Sequence, residues 1–318
     1  MKNLRELPKL RDSLSFAYFE NVRMERDGGA LTAIDKNGKT HVPVAALGVL
    51  MLGPGTCITH DAVKTATESG ASILFVGQGG DRCYAQGMGE TRSSVRMLRQ
   101  AQLHSDPAGR MAVVLKMYEK RFSESFEEGL SLQQIRGKEG VRVRTAYARA
   151  SEKSGVEWKG RNYDRSNWNA GDPINRALSA AASCLYGVCH CAIVSAGYST
   201  ALGFIHTGKL LSFVYDIADL YRVDTIVPVA FDVAGRYKSA PNTKGLEREV
   251  RTACRDAFYS HKLLNRVISD IDDLMNVSKV ELERAQTVSD QSDDPPGGLW
   301  DPCVGSLEGG VNYASDDP

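Results

Sequence analysis

No run of eighteen apolar residues occurs in the 318-residue chain, so no segment reads as a membrane span. The opening stretch, residues 1–14, is charged and has no apolar core, so no secretory signal is expected. A disulfide framework is missing as well. The seven cysteines are scattered, which in a chain of this length points to free thiols and a reducing cytoplasm. GQGGDR (77–82) is rich in glycine but lacks the Lys-Ser/Thr that would follow in a phosphate-cradling loop, so it reads as a turn between strands. No internal repeat is visible. What is present is an ordinary globular composition, 42% hydrophobic and 25% charged, with length for one large domain or two smaller ones.

Net charge is also lacking, because 39 basic residues balance 39 acidic ones. The balance hides a split. Residues 96–280 carry 27 Lys/Arg against 20 Asp/Glu, whereas residues 281–318 carry 1 against 9. The steepest basic stretch is 96–165, with 15 against 9. Such an excess suits a polyanionic partner such as nucleic acid; a solvated helical face would leave the same trace.

The period of the apolar residues changes along the chain. LSFAYF (14–19), ALTAID (30–35), HVPVAALGVLML (41–52) and SILFVG (72–77) read as strands, and RCYAQG (82–87) is expected to pair with the last of them. Asp35-Lys36-Asn37-Gly38 predicts a hairpin turn with positive φ at Asn37 and Gly38. Thr59 is placed to cap a short helix that Gly70 stops. Beyond about residue 90 the spacing becomes helical, with seven segments between 95 and 276, one of them opened by Asp172-Pro173 and the last running unbroken over 246–276. The expected fold class is α+β: a small β-sheet domain over 1–91, a larger all-helical domain over 92–280, and an acidic flexible tail over 281–318. From Asp290 on the chain is rich in Asp, Gly, Ser and Pro yet keeps Leu299, Trp300, Val304, Leu307, Val311 and Tyr313. Those residues suit a segment that adds to a partner, or a loose tail resting on its own body.

Chemistry is concentrated in FIHTGKLLSFVYDIADL (204–220). His206 precedes a helix expected to begin near Gly208, and Asp216 and Asp219 are three apart on it, hence on one face of an apolar run. A buried carboxylate is costly unless it is paired or binds a metal, and two on one face favour a cation between them, which can be a metal ion or an arginine from a neighbouring helix. Glu139, in RGKEGVRVRTAYARA, is expected in the first turn of a helix among Arg136, Lys138, Arg142 and Arg144. Its role there is either a dipole partner or a metal-holding carboxylate. Cys184, Cys189, His190 and Cys191 lie on one continuous helix that would spread the thiols around it, so they are expected to pack rather than bind zinc.

Glu139 in KEGVRVRTAY, His206 in GFIHTGK, and Asp216 with Asp219 in LSFVYDIADL together resemble the CRISPR-associated spacer-acquisition integrase family, most closely its I-E subtype. The resemblance runs through most of residues 10–280 and includes IDKNGKTHVPV (34–44), PGTCITHDAV (54–63), NYDRSNW (162–168), SCLYGV (183–188) and LEREVRTACRD (246–256). It implies a metal-dependent DNA integrase and endonuclease that joins the 3′-hydroxyl ends of short spacer-precursor duplexes into a CRISPR repeat by transesterification. Glu139, His206 and Asp219 would be the metal ligands, with Asp216 supporting them. Carboxylate oxygens suit Mg²⁺ or Mn²⁺, and the imidazole favours Mn²⁺.

The resemblance also implies partners. The β-domain would form a homodimer, and the tail would dock a small ferredoxin-like adaptation protein. Lys39, Lys64, Arg82, Arg110, Arg248 and Arg251 would meet DNA phosphates. Arg136, Tyr163, Trp168, Tyr186, Lys209 and Tyr215 would line a pocket for a single-stranded overhang, although Tyr186 and Tyr215 also suit helix packing. Two positions depart from the pattern. Cys57 stands where close relatives can carry Arg, and Asn21 where some carry a Tyr that stacks on the duplex end. A non-catalytic DNA-binding scaffold and a free-standing metal nuclease acting on branched DNA remain as alternatives.

Overall fold

The computed structural model describes residues 16–44, 47–78, 82–89, 94–122, 126, 130–161, 172–239, 245–278, 299–302 and 305–307. The chain opens with β1 (Phe16–Phe19), β2 (Arg23–Asp27), β3 (Ala30–Asp35), β4 (Gly38–Val42), β5 (Val49–Leu52) and β6 (Cys57–Ile58). Helix α1 (His60–Glu68) and strands β7 (Ser72–Val76) and β8 (Cys83–Gly87) follow. The helical part comprises α2 (Val95–Ser105), α3 (Pro107–Phe122), α4 (Leu132–Ser154), α5 (Pro173–Ala196), α6 (Ser212–Asp219), α7 (Ile226–Ser239), α8 (Leu246–Ser260) and α9 (Leu263–Leu274). β9 (Leu299–Asp301) and β10 (Gly305–Leu307) pair antiparallel within the acidic tail. The architecture is α+β, with the sheets first and the helices after them.

Two sheets form. One has the order β1-β5-β7-β8, its first three strands parallel and β8 antiparallel. The other has the order β4-β3-β2-β6, built on the β2–β3 and β3–β4 hairpins. The second hairpin turn differs from expectation. Asp35 pairs with Gly38, so Lys36 and Asn37 form the loop, and only Gly38 has positive φ, at 132°. The Asp35 carboxylate accepts from the backbone N–H of Asn37 and Gly38, an Asx-type brace that removes the need for Asn37 to turn left-handed. The apolar run 41–52 is also two strands rather than one. β4 and β5 lie in different sheets, with Pro43, which cannot donate to a ladder, between them. α1 is capped as expected: Thr59 Oγ1 accepts from Ala62 N, and Gly70 follows the helix at φ 78°.

Helix α5 is the axis of the helical part. Asp172 caps it by accepting from Asn175 N at 2.8 Å, Pro173 starts it, and Gly197 ends it at φ 86°. By length and composition α5 could cross a membrane, but most of it is buried in the core. Leu178, Leu185 and Ile193 on α5 pack in one apolar cluster with Phe213 of α6, Phe231 of α7, Val250 of α8 and Ile271 of α9. Each fully buried side chain of this size contributes about 1.5–3 kcal/mol. Val49, Met51, Leu74 and Val76 extend the same cluster onto the first sheet. Leu50, Leu52 and Ile73 point the other way, into a second cluster with α1 and the hairpins. The segment 246–276 is broken at Lys262, whose left-handed φ of 47° separates α8 from α9.

Candidate active site

The site is built where α3, α4 and α6 meet the loop that precedes α6. Asp216 is completely buried. Its Oδ2 accepts from Phe204 N at 2.6 Å and Ile205 N at 3.0 Å, and its Oδ1 from His206 N at 2.9 Å. The same Oδ1 lies 2.7 Å from His206 Nδ1. A buried carboxylate is tolerated because three backbone donors and one ring donor replace its water shell. With the Asp216 oxygens accepting, Nδ1 carries the proton, and in the neutral ring Nε2 keeps its lone pair. The hydrogen bond to Asp216 holds the imidazole above its ordinary pKa; partial burial opposes it, and the charges of Asp216 and Asp219 add to it.

The loop itself is clamped from α2 and α3. Gln100, fully buried, bonds the carbonyls of Ser199 and Leu202 and the N–H of Ser199. Arg110 donates to Phe204 O at 3.0 Å from both Nε and Nη2, and to Gly203 O at 3.3 Å. A Cβ on Gly203 would lie 2.4 Å from His206 O, so glycine is required for the loop to close on itself.

Arginines surround the remaining two carboxylates. Arg121, whose side chain is only 4% exposed, places Nη1 3.7 Å from Glu139 Oε1 and Nη2 3.7 Å from Asp219 Oδ2. Arg142 lies 4.0 Å from Glu139 Oε2. Arg222 Nε lies 3.0 Å from Asp219 Oδ1, and its Nη2 donates to the Tyr186 hydroxyl. Burial raises the Glu139 pKa; Arg121 and Arg142 oppose that shift, and the negative charge of Asp219 reinforces it. Tyr186 and Tyr215 meet edge to face at 5.1 Å, and Tyr215 meets His206 at 5.9 Å. Arg121 Nε, Glu139 Oε2 and Arg222 Nε are buried without a hydrogen bond, Arg222 Nε because its N–H is not aimed at Asp219 despite the 3.0 Å separation, and among the described residues these three orphaned side-chain atoms all belong to this site. Unsatisfied buried groups cost roughly 1–3 kcal/mol each, and their concentration in one place marks a functional site rather than a core.

The residues on either side of this cluster fall within known sequence space. Residues 118–243 match the family model described as CRISPR associated protein Cas1. CRISPR-associated endonuclease Cas1 2 of Thermus thermophilus is 53% identical over 318 residues, covering 100% of this chain and 95% of that protein. The chain belongs to the Cas1 family. CRISPR-associated endonuclease Cas1 of Geobacter sulfurreducens is 46% identical over 273 residues, covering 86% of this chain and 87% of its own. The crystal structure of TtCas1 in complex with DNA matches with a TM-score of 0.77 at 54% identity, over 86% of this chain and 100% of that one.

Within this Cas1 fold the sequence-derived residues separate. Glu139 and Asp219 are linked through Arg121, and His206 is bonded to Asp216. Glu139 is not in the first turn of its helix. Ser131 and Gln134 form the capping box, so α4 starts about two turns earlier and Glu139 faces α3. Helix α6 likewise begins at Ser212, after a turn, rather than near Gly208. Tyr186 and Tyr215 are half-buried against the site, and Lys209 is exposed beside it. Arg110 is occupied by the loop carbonyls. Lys39, Lys64, Arg82, Arg136 and Arg248 are exposed, and Arg251 is half-buried; Lys39 pairs with Asp27 at 2.7 Å. Tyr163 and Trp168 lie outside the described residues. Cys184, Cys189 and Cys191 are buried and unbridged, as packing residues are. The residues that sequence reading missed are Arg121, Arg222, Gln100 and Gly203. The available signal was a basic side chain on the apolar face of α3 and another three residues after Asp219.

The donor chemistry at Glu139, His206 and Asp219 fits a hard divalent cation: two carboxylates, one of them with an orphaned buried oxygen, and an imidazole with a free Nε2. Among the described residues no three His, Cys, Asp or Glu side chains already converge as a metal-holding group. Arg121 reaches both carboxylates instead.

Proposed function

We propose that this protein is a metal-dependent DNA integrase and endonuclease of CRISPR adaptation, of the I-E kind. The single observation that carries the reading is the set of orphaned polar atoms beside an imidazole whose Nε2 is left free by Asp216. Glu139, His206 and Asp219 would hold Mg²⁺ or Mn²⁺, which when bound supplies Lewis acidity toward a phosphodiester and an incoming hydroxyl. The residues of the chain do the rest. Asp216 fixes the ring of His206, Arg110 and Gln100 hold the loop that carries it, and Arg222 with Tyr186 steadies Asp219. In the joining step a 3′-hydroxyl oxygen bonds to phosphorus as the strand's own 3′-oxygen leaves with a proton. One phosphodiester replaces another, and no nucleotide cofactor is consumed.

The exposed residues Lys39, Lys64, Arg82, Arg136, Lys209 and Arg248 suit phosphate contact, and the similar TtCas1 structure solved with DNA supports a DNA partner. The strand-forming tail around Leu299–Leu307 suits docking of a small ferredoxin-like protein, with residues 1–91 serving a homodimer. The arginine pairing of Glu139 and Asp219 also suits a second reading, a DNA-binding scaffold whose acidic cluster is purely structural. Strand transfer separates the two. Labelled duplex with 3′-hydroxyl ends is mixed with the protein, its partner and a supercoiled repeat plasmid, with Mn²⁺, Mg²⁺ or chelator. Label should enter the plasmid only with metal, and not with Asp219→Ala. DNA binding without transfer under any metal would favour the scaffold.

A further inference from the structure

Arg121 is the one cation, among the described residues, that touches both Glu139 and Asp219; Arg142 reaches only the first and Arg222 only the second. It comes from α3, not from the elements that carry the acids. Its guanidinium lies 5.1 Å from the centre of the Tyr118 ring and directs Nη2 at the Asp216 carbonyl at 3.5 Å, so it is held from behind. Toward the acids its two distances are equal, 3.7 Å each, longer than a hydrogen bond, and its Nε has no partner. Such a contact balances charge without locking either carboxylate. A group placed for stability alone would close one bidentate pair.

We infer that Arg121 is a positioning residue, a built-in counter-cation that balances the charge of Glu139 and Asp219 and holds the two side chains together before a divalent cation arrives, and that it opposes that cation once it binds. The inference rests on the metal-site reading above. Arg142 and Arg222 each neutralise one of the acids from its own side, but Arg121 is the cation between them, so its loss leaves their mutual repulsion less screened and weakens the metal-free fold. A guanidinium beside a dication is repelled by it, so Arg121 weakens metal affinity. The metal-free and metal-bound states are therefore pulled in opposite directions by the same side chain.

The full chain is titrated with Mn²⁺, free metal being read by electron paramagnetic resonance, and its melting is followed in chelator. Arg121→Gln is expected to melt lower than the parent in chelator and to bind Mn²⁺ at least about tenfold more tightly. Arg121→Lys, which keeps the charge, should bind within about threefold of the parent. Arg121→Gln combined with Glu139→Gln removes one acid with the cation, and its metal-free melting should return toward the parent value. Arg121→Gln folding only when Mn²⁺ is present would carry the same meaning. Mn²⁺ binding by Arg121→Gln that is equal to or weaker than the parent's would overturn the inference, as would a double variant no more stable than the single one. If Arg121→Gln is insoluble with and without metal, the double variant decides: folding supports charge balancing, and failure to fold overturns it. Should His206→Ala and Asp219→Ala bind Mn²⁺ as the parent does, the metal site itself is wrong and the opposition to metal falls with it. The melts in chelator would still decide the charge-balancing role.

Discussion

Asp216→Asn keeps the volume of the side chain and takes away one of its two acceptor oxygens. In the parent, those oxygens accept four hydrogen bonds, three from the backbone of residues 204–206 and one from His206 Nδ1. With the amide oxygen turned to Phe204 and Ile205, the amide nitrogen confronts the His206 N–H, which loses its acceptor in a buried setting. The same nitrogen can donate to His206 Nδ1 only if that atom gives up its proton, which moves the proton to Nε2. One orphaned backbone donor and one forced tautomer change sum to about 2–4 kcal/mol of lost stability, or a melting decrease of about 3–6 °C for a chain of this size. The tautomer is the sharper readout. Long-range ¹H–¹⁵N correlation should show His206 protonated on Nδ1 in the parent and on Nε2 in the variant, with the assignment fixed by the signal lost in His206→Ala. The His206 pKa should fall, because the hydrogen bond that raises it is the first thing removed. An unchanged tautomer together with melting within about 1 °C of the parent would refute the claim that Asp216 sets the imidazole.

Three further outcomes follow from the same geometry. The raised pKa of His206 means that its stabilising contribution is complete below its unfolded value near 6.5 and is lost as pH rises through the folded value. In chelator, the melting difference between parent and His206→Ala should therefore shrink from about pH 6 to pH 8.5, and a constant or widening gap would contradict this. Arg110→Ala should cost about 1–3 kcal/mol through the loss of its bonds to Gly203 and Phe204. It should leave the salt dependence of DNA binding unchanged, because a lost phosphate contact would lower that slope by about 0.9; such a drop would return Arg110 to the DNA surface. Gly203→Ala forces a methyl group within 2.4 Å of His206 O and 2.7 Å of Ser212 Cβ. It should abolish strand transfer while circular dichroism stays helical, and full activity would show that the loop tolerates displacement.

The order of sheets and helices was legible because period two and period 3.6 leave distinct traces, and the caps at Thr59 and Asp172 sit where their side chains suggest. Glu139 was found but misplaced within its helix, because the Ser131–Gln134 capping box lies upstream of two glycines that read as breakers. The break at Lys262 was not visible, since no Gly or Pro marks it and a lysine takes the left-handed turn. The opposite fates of Asp216 and Asp219 were beyond sequence reading as well. Both share a face, yet one is enclosed by backbone donors from a loop ten residues earlier and the other by arginines from the end of α6 and from α3. Backbone donors carry no residue signature. Arg110 shows the converse: a basic residue that reads as a DNA contact serves the loop carbonyls instead, a distinction that charge alone does not carry.

Strand β5 is four residues long, and its side chains alternate between two different interiors: Val49 and Met51 face α5, while Leu50 and Leu52 face α1 and the hairpins. Adjacent positions in this strand therefore answer to unrelated neighbours. A change at residue 50 is tested by the hairpins and a change at residue 51 by the helical core around α5. A slip of one residue would exchange the contents of both interiors at once, so the register of β5 is checked twice, and an error that one side tolerated would be rejected by the other. The strand acts as a shared index by which the sheets and the helices are held to a single alignment.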